Sequence, residues 1–161
     1  MDQDEFWEMI APLRQGLYGF AIRMLNNPTE AEDLLQDVLE KLWRKKKQLN
    51  RQGNLKSYAM TIMKNQCLDV IKKRGRYVGE NEELPTMVVH QDYEQKDMVA
   101  QLKQRAMQLP TQQRMIVELK DFQGFDYEEI SAMMGMTVNT LRVNLSRARK
   151  KLITPLKNEW R

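Results

Sequence analysis

Residues 125–151 read FDYEEISAMMGMTVNTLRVNLSRARKK, and this stretch decides what kind of fold the chain adopts. Asp126 is a good N-cap for a helix, and the two glutamates that follow lie in the first turn, where the helix dipole favours negative charge. Gly135 ends that helix after two turns, and Thr137 can cap a second helix. A short helix, a turn containing glycine and a longer basic helix predict a helix-turn-helix.

Each of the two helices carries an apolar stripe at helical spacing. In the first helix, we expect the buried residues to be Tyr127, Ile130 and Met134. In the second helix, the stripe consists of Val138, Leu141, Leu145, Ala148 and Leu152. No acidic residue occurs between Val138 and Lys151, so the opposite face is basic. This charge distribution favours a DNA-binding surface over the alternative, which is the solvated outer face of a terminal bundle helix.

The face opposite the stripe changes character along the helix. Its N-terminal half offers Asn, Thr and Arg side chains, which suit base edges, whereas its C-terminal half offers mostly cations, which suit phosphates. Val143 is expected to face outward, where its methyl groups can pack on the methyl group of a thymine. The predicted DNA contacts are Thr137, Asn139, Thr140, Arg142, Val143, Asn144, Ser146, Arg147, Arg149 and Lys150.

The composition excludes several other classes of protein. The 161 residues are 42% hydrophobic and 30% charged, with a formal net charge of +4, which is typical of a globular protein. The single cysteine, Cys67, cannot form an intramolecular disulfide, and no apolar run reaches the roughly 18 residues needed to span a bilayer. The N-terminus is acidic where a secretory signal would be basic. We therefore expect a cytoplasmic protein without direct membrane insertion.

The sequence lacks the parts of a catalytic or metal site. It has no nucleophile–base constellation and no glycine-rich phosphate loop. The only histidine, His90, has no second histidine or cysteine cluster with which to form a zinc site. We therefore expect a protein that is not an enzyme, needs no cofactor or metal, and has no small-molecule substrate.

The hydrophobic periodicity divides the chain into two small helical bundles. The first covers residues 5–76 and the second covers residues 97–158. Between them, residues 77–96 are acidic, contain Gly79 and Pro85, and show no helical period, which predicts a flexible linker. The predicted fold class is therefore all-α, with two bundles joined by a flexible linker.

Local signals place several helices within these bundles. Pro12 interrupts the first apolar stripe and is expected to kink or restart that helix. Thr29 and Glu32 have the spacing of a capping box, which predicts the start of the next helix. Further helices are predicted from Leu55 to Lys73 and from Thr111 to Phe122.

Taken together, these residues resemble a known family, the bacterial RNA polymerase sigma factors of the extracytoplasmic-function (ECF) group. LPTQQRMIVELKDFQGFDYEEISAMMGMTVNTLRVNLSRARKKL, residues 109–152, resembles region 4 of that family. AEDLLQDVLEKLW, residues 31–43, looks like its core-polymerase-binding helix, and NLKSYAMTIMKNQCLDVIKKR, residues 54–74, looks like its promoter-melting helix. The resemblance covers nearly the whole chain in the right order. It also implies the predicted all-α, two-domain fold.

The resemblance implies a set of contacts for each domain. Region 2 of the family docks on core RNA polymerase, which implies contacts at Asp33, Gln36, Asp37 and Glu40. These residues alone would favour a solvated helix face, and the resemblance reverses that preference. The same region opens the −10 element of the promoter, which implies DNA contacts at Arg51, Gln52, Asn54, Lys56, Tyr58, Lys64, Asn65, Lys72 and Lys73. Of these, Tyr58 fits a core aromatic residue equally well. Region 4 reads the −35 element with the helix-turn-helix.

The expected function is therefore promoter-specific transcription initiation. The implied partners are core RNA polymerase, promoter DNA and an anti-sigma factor, and the free protein is expected to be a monomer. The bases preferred at −35 do not transfer, because many members carry small or basic residues where this chain has Asn139, Val143 and Asn144. The alternative is a stand-alone helix-turn-helix regulator, which would explain residues 97–161 but leave residues 5–75 without a role.

Overall fold

The computed structural model describes residues 2–49, 54–75 and 98–159. All regular secondary structure in these ranges is helical, so the predicted all-α class is confirmed. The chain divides into two compact units, Met1–Arg76 and Tyr77–Arg161. The predicted linker at 77–96 lies outside the described residues, as do Arg51, Gln52 and His90.

The described residues of the first unit form four helices, namely α1 (Gln3–Leu25), α2 (Pro28–Arg44), α3 (Lys46–Leu49) and α4 (Leu55–Lys73). The long helices α1, α2 and α4 pack against one another around one apolar core. Its largest fully buried side chains are Phe6, Ile10, Leu17, Phe20, Met24, Leu42, Met60 and Met63. Cys67 is also completely buried.

The helix α1 continues through Pro12, so of the two predicted outcomes, a kink or a restart, the restart is wrong. A proline inside a helix costs about 3 kcal/mol because it removes one hydrogen bond and clashes with the preceding turn. Beyond the proline, the same helix buries Leu17, Phe20 and Met24. Each of these side chains contributes about 1.5–3 kcal/mol by leaving water, which outweighs the cost of the proline.

The start of α2 also differs from the prediction. The N-cap is Asn27, whose side-chain oxygen accepts a hydrogen bond of 3.1 Å from the backbone N–H of Glu30. Pro28 then occupies the first turn, where its missing N–H has no helical partner to lose. The Thr29–Glu32 capping box is therefore wrong, because the helix has already begun at Pro28.

The second unit contains α5 (Met98–Gln108), α6 (Thr111–Val117), α7 (Tyr127–Met134) and α8 (Val138–Glu159). After α6 the chain continues into one π-helical turn, Glu118–Phe122, where a single regular helix through Phe122 was predicted. The core of this unit is formed by the buried side chains Leu109, Met115, Ile116, Val117, Leu119, Phe125, Ile130, Met133, Leu141, Leu145 and Ala148.

None of the helices in the described ranges is long and apolar enough to cross a membrane. Within those same ranges, no cluster of His, Cys, Asp and Glu side chains has the arrangement that could hold a metal ion.

Candidate nucleic-acid interface

The first helix of the predicted helix-turn-helix is fixed at both ends by hydrogen bonds. The carboxylate of Asp126 accepts a hydrogen bond of 2.8 Å from the backbone N–H of Glu129, and the Glu129 carboxylate accepts one of 3.1 Å from the N–H of Asp126. This reciprocal capping box begins α7, which ends at Gly135 in the left-handed conformation, with φ 67°. The Gly135 N–H donates to the carbonyl of Ser131 at 2.9 Å. The helix therefore has the bounds that its sequence predicts.

The turn leads directly into the longer helix, α8. Thr137 caps it, since the Thr137 hydroxyl oxygen accepts a hydrogen bond of 3.1 Å from the backbone N–H of Thr140. The Ser131 hydroxyl donates to the carbonyl of Met136, which ties the turn back to α7. The turn that joins the two helices is thus held to α7 by hydrogen bonds with Ser131.

The buried side of the motif follows the predicted stripes in part, since Val138 and Leu152 at the ends of the α8 stripe are only half-buried. Leu141, Leu145 and Ala148 are almost completely buried, and they lie in the same core as Ile130. On α7 the second buried side chain is Met133, whereas the predicted Met134 is half-buried. Tyr127, also predicted to be buried, is half-buried as well. One apolar face of each helix therefore packs inward and leaves the other face of α8 to solvent.

The outer face of α8 presents most of the predicted DNA contacts. The exposed residues are Thr137, Asn139, Thr140, Arg142, Val143, Ser146, Arg147, Arg149 and Lys150. Val143 is 48% exposed, so its methyl groups are accessible on this face. The combination of amide, hydroxyl, guanidinium and methyl groups matches the chemistry of base edges in a DNA major groove.

Asn144 does not belong to this face, and its prediction as a DNA contact is corrected. It is only 5% exposed, and its amide nitrogen donates a hydrogen bond of 2.9 Å to the carbonyl of Thr140, one turn earlier. A buried amide that is already hydrogen-bonded within its own helix is not positioned to reach a base.

Arg149 is exposed but is held by a residue of the π-helical turn. Its guanidinium donates two hydrogen bonds to the carboxylate of Asp121, from Nη2 to Oδ1 at 2.6 Å and from Nε to Oδ2 at 3.2 Å. The hydrogen bond to Asp121 is the main reason that the pKa of Arg149 is raised above its usual value. Since this pair links the π-helical turn to α8, Arg149 helps to fix the position of α8 within the unit.

Two cations lie over the ring of Tyr127, a contact that the sequence did not reveal. The ammonium group of Lys120 is 4.5 Å from the ring centroid, and the guanidinium carbon of Arg142 is 5.1 Å from it. Both distances are within the range of cation–π interactions. Tyr127 also lines an open groove of about 330 Å³ beside α8, together with Arg142, Leu145, Ser146, Arg149, Lys150 and Ile153. The aromatic ring therefore belongs to the basic surface.

In the first unit, the outer face of α2 is acidic. The four predicted polymerase contacts Asp33, Gln36, Asp37 and Glu40 are all exposed. They lie opposite the buried side chains Ala31, Leu34, Leu35, Val38, Leu39 and Leu42. Glu40 forms an exposed ion pair with Arg44 one turn later, at 2.5 Å, so this carboxylate is partly neutralised within the helix. This face and the basic face of α8 therefore carry opposite charge.

The predicted −10 contacts on α4 fall into two groups. The exposed residues are Lys56, Asn65, Lys72 and Lys73, whereas Tyr58 is half-buried. Asn54 is the exposed N-cap of the helix, and its side chain accepts a hydrogen bond of 3.1 Å from the backbone N–H of Ser57. Lys64, by contrast, is only 8% exposed, and burial lowers the pKa of its ammonium group. The prediction that Lys64 contacts the DNA backbone is therefore corrected, because little of this residue is accessible to solvent.

Comparison with protein families matches both units. The model of "Sigma-70 region 2" matches residues 9–77, and the model of "Sigma-70, region 4" matches residues 100–152. Together the two matches cover most of the helical residues of both units.

Individual relatives agree with this result. The chain is 28% identical over 156 residues to ECF RNA polymerase sigma factor SigE of Mycolicibacterium smegmatis. The aligned part covers 90% of this chain and 59% of the relative. It is 28% identical over 144 residues to the sigma factor EcfG of Rhodopseudomonas palustris, covering 84% of this chain and 76% of the relative. The chain thus spans a little over half the length of the first relative.

Solved structures share the fold. The sigma factor RpoE of Bartonella quintana, solved with the anti-sigma factor NepR, has a TM-score of 0.75 and 31% identity, over 95% of this chain and 97% of that one. CnrH, solved with the cytosolic domain of CnrY, has a TM-score of 0.72 at 18% identity, over 98% and 90% of the two chains, and shows the same fold.

The fold and its two surfaces define a two-unit protein with a helix-turn-helix, and the chain belongs to the sigma-70 family, as a sigma factor of the ECF group. It is thus a transcription initiation factor and not an enzyme. A stand-alone regulator is disfavoured, because residues 9–77 match sigma-70 region 2, and such a regulator would leave this domain without a role.

Proposed function

We propose that this chain directs core RNA polymerase to promoters by reading the −35 element with α8 and opening the −10 element with the surface around α4. The observation that carries the proposal is the outer face of α8, which exposes Asn139, Arg142 and Val143 on a helix anchored by a capped turn. This face offers hydrogen-bond donors and a methyl-bearing side chain at the positions that enter a major groove.

For the −35 element, the proposed base-reading residues are Asn139, Thr140, Arg142 and Val143, in the N-terminal half of α8. Ser146, Arg147 and Lys150 follow in the C-terminal half and are proposed to contact phosphates. Thr137 lies at the start of the helix, where it caps the backbone and is exposed toward the same side. Arg149 contributes positive charge to this surface from its fixed position on Asp121.

For core RNA polymerase, the proposed docking residues are Asp33, Gln36, Asp37 and Glu40. Their side chains are exposed along one face of α2 while the opposite face is packed in the core, so they form a continuous acidic strip on a rigid helix. Charges on such a strip steer association with a basic partner surface and fix its register.

For the −10 element, the proposed surface consists of Asn54, Lys56, Tyr58, Asn65, Lys72 and Lys73, together with Arg51 and Gln52. Extruding a base costs a few kcal/mol in lost stacking, which hydrogen bonds and aromatic contacts in a pocket must offset. Asn65 and the half-buried Tyr58 supply these two kinds of contact, while the exposed lysines supply charge for the backbone.

The remaining partners follow from the relatives. RpoE of Bartonella quintana was solved with an anti-sigma factor, and we infer that this chain also binds one. We also infer that this chain acts in the cytoplasm and is a monomer when free. We further infer that this anti-sigma factor and core RNA polymerase bind overlapping surfaces of the chain and therefore compete. A protein from the native host that binds this chain and is displaced by core RNA polymerase tests the inference, and a bound protein that stays in place on the holoenzyme contradicts it.

The experiment that tests the function is in vitro transcription by bacterial core RNA polymerase on a pool of genomic promoter fragments, with and without the protein. New, discrete start sites that appear only with the protein support the proposal, and the DNA upstream of them gives the −10 and −35 sequences. Duplex binding without any new start site would instead favour the stand-alone regulator.

A charge-reversal pair sharpens this experiment. Asp37→Arg reverses an acid on the proposed docking face, and Glu8→Arg reverses an exposed acid on α1, outside that face. We expect Asp37→Arg to reduce holoenzyme assembly at least tenfold, while Glu8→Arg leaves it within twofold of the unmodified chain. Equal losses for the two variants would show that the acidic strip has no special role.

A further inference from the structure

The contact between Tyr127 and Arg142 joins the two helices of the helix-turn-helix on their exposed side. Tyr127 is the first residue of α7, directly after the capping residue Asp126, so its backbone is held by the reciprocal hydrogen bonds of the capping box. Arg142 lies in the second turn of α8, among the proposed base-reading residues. The guanidinium carbon is 5.1 Å from the ring centroid. A side chain on a rigid anchor thus contacts a side chain that is proposed to read DNA.

The acid of the π-helical turn is engaged by a different arginine of α8. Both carboxylate oxygens of Asp121 accept hydrogen bonds from Arg149, at 2.6 and 3.2 Å. Arg142, by contrast, lies over an aromatic ring. The difference matters, because a carboxylate would occupy the in-plane N–H groups of the guanidinium, whereas an aromatic ring attracts its charge and leaves those donors available.

Lys120 adds a second restraint on the ring. Its ammonium group lies 4.5 Å from the ring centroid, and it comes from the π-helical turn that also supplies Asp121. The ring is therefore contacted by cations from two elements of the unit. A ring that is restrained in this way provides a defined surface for Arg142, where a freely rotating ring would not.

We propose that Tyr127 is a positioning residue, which holds the Arg142 guanidinium over its ring so that the N–H groups point to a base edge of the −35 element. The inference rests on the proposed reading of the −35 element by α8. An arginine side chain has many rotamers, and fixing it before binding reduces the entropy lost when it pairs with a base. Tyr127 thus acts on sequence selection through Arg142.

The test uses holoenzyme reconstituted from core RNA polymerase and the full chain, on a promoter found by the transcription experiment and on the same promoter with a scrambled −35 element. The quantity measured is the ratio of the two open-complex yields at subsaturating holoenzyme. The variants are Tyr127→Phe, which keeps the ring, Tyr127→Leu, which removes it, Arg142→Ala, and the double variant Tyr127→Leu/Arg142→Ala. Thermal unfolding of each variant shows whether the fold is retained.

We expect Tyr127→Phe to keep the ratio of the unmodified chain, and Tyr127→Leu to lower it about two- to fivefold, as the strength of an exposed cation–π contact implies. In the Arg142→Ala background, Tyr127→Leu should lower the ratio no further, because the side chain that it positions is gone.

Three results would overturn the proposal. A Tyr127→Leu ratio equal to that of the unmodified chain would show that the ring has no role in selection, even if affinity for both promoters falls together. A loss that adds fully to that of Arg142→Ala would show that Tyr127 acts independently of Arg142. If the unmodified holoenzyme itself does not distinguish the two promoters, the proposed −35 reading fails as well, which separates that failure from the first two.

Discussion

Arg149 of α8 and Asp121 of the π-helical turn form a bidentate ion pair, with hydrogen bonds of 2.6 and 3.2 Å, although they are 28 positions apart in the chain. The pair is partly exposed, with 45% of the Arg149 and 34% of the Asp121 side-chain surface accessible. Because it connects the π-helical turn to α8 within the second unit, it acts as a tertiary restraint on α8.

The first prediction concerns the strength of this pair. In a double-mutant cycle with Asp121→Ala and Arg149→Ala, we expect a coupling of about 0.5–1 kcal/mol in the free energy of unfolding, the upper range for exposed pairs, because two hydrogen bonds fix the geometry. Chemical denaturation at low and high salt measures it, and the coupling should fall at 1 M salt. The control is the exposed pair Glu40–Arg44 within α2, where about 0.3–0.5 kcal/mol is expected. A coupling of zero between Asp121 and Arg149 would contradict the restraint.

The second prediction separates two asparagines of α8 that are five positions apart. Asn144→Ala should lower the free energy of unfolding by about 1–2 kcal/mol, because it removes a buried hydrogen bond to Thr140. It should leave the preference for a matched −35 element unchanged. Asn139→Ala, at an exposed position, should do the reverse and weaken selection without a loss of stability. Denaturation and binding to matched and scrambled duplexes measure both effects, and a selective loss of DNA discrimination in Asn144→Ala would contradict the assignment.

The third prediction concerns the buried lysine of α4. Burial lowers the pKa of Lys64 below its ordinary value of 10.5, so the charged form is disfavoured in the folded state. The folded protein then releases this proton at lower pH than the unfolded chain does, and stability rises with pH from the folded pKa up to 10.5. Lys64→Met should therefore raise the free energy of unfolding by about 1 kcal/mol at neutral pH, and the gain should shrink as the pH approaches 10.5.

Lys72→Met provides the matched control for this experiment, since Lys72 lies on the same helix but is exposed. We expect it to change stability by less than about 0.5 kcal/mol at either pH. If Lys64→Met destabilised the protein at neutral pH, the ammonium group would have a stabilising role that outweighs its burial.

The fourth prediction tests the turn of the helix-turn-helix. Gly135 has φ 67°, and a Cβ added there would meet no atom within 4 Å, so the cost of a side chain is conformational and not steric crowding by neighbours. Gly135→Ala should lower the free energy of unfolding by about 1 kcal/mol. Gly135→Asn should cost less, because asparagine adopts the left-handed region more readily. Equal stability of the alanine variant and the unmodified chain, measured by thermal unfolding, would show that the turn relaxes to another conformation.

The fifth prediction divides the outer face of α8 between base and phosphate contacts. Arg142→Ala should weaken selection at −35, whereas Lys150→Ala should weaken binding to all sequences and lower the slope of log K against log salt by about one unit. Titrations of matched and scrambled duplexes at several salt concentrations measure both quantities. Equal losses on the two duplexes for both variants would refute this division.

Much of the fold could be predicted because the apolar period is regular where helices bury a single face. The stripe Leu141, Leu145 and Ala148 was predicted and is buried, and α4 has the predicted bounds Leu55–Lys73. The start of α2 was harder to predict, because both Asn27 and Thr29 have side chains that can cap a helix. Only the position of Pro28 at the first turn distinguishes Asn27 as the true cap of α2.

The errors in the candidate sites have a common physical origin. Asn144 follows Leu141 by three residues and precedes Ala148 by four, and Lys64 follows Met60 by four and precedes Cys67 by three. The helical period therefore places both on the buried side, but their polarity led to the opposite expectation. A polar residue at a buried position of the period is better read as a core residue that finds a hydrogen bond or extends its polar end toward solvent.

Contacts between distant residues could not be predicted in the same way. Tyr127 and Arg142 are separated by the turn of the helix-turn-helix, and Asp121 and Arg149 by α7 and that turn. No periodicity links such positions, because the angle at which α7, α8 and the π-helical turn pack decides which side chains meet.

In the π-helical turn Glu118–Phe122, the N–H of Gln123 donates a hydrogen bond to the carbonyl of Glu118, five positions earlier. The turn therefore contains one residue more than a turn of α-helix, in which the hydrogen bond spans four positions. Deleting one residue within it would restore the α-helical spacing and rotate Lys120 and Asp121 by about 100° relative to the residues before them. An alignment of relatives across this segment should therefore admit a one-residue gap inside the turn. Evolution can change the length of the chain there, altering which side chains support α8, while the residues of the helix-turn-helix keep their own spacing.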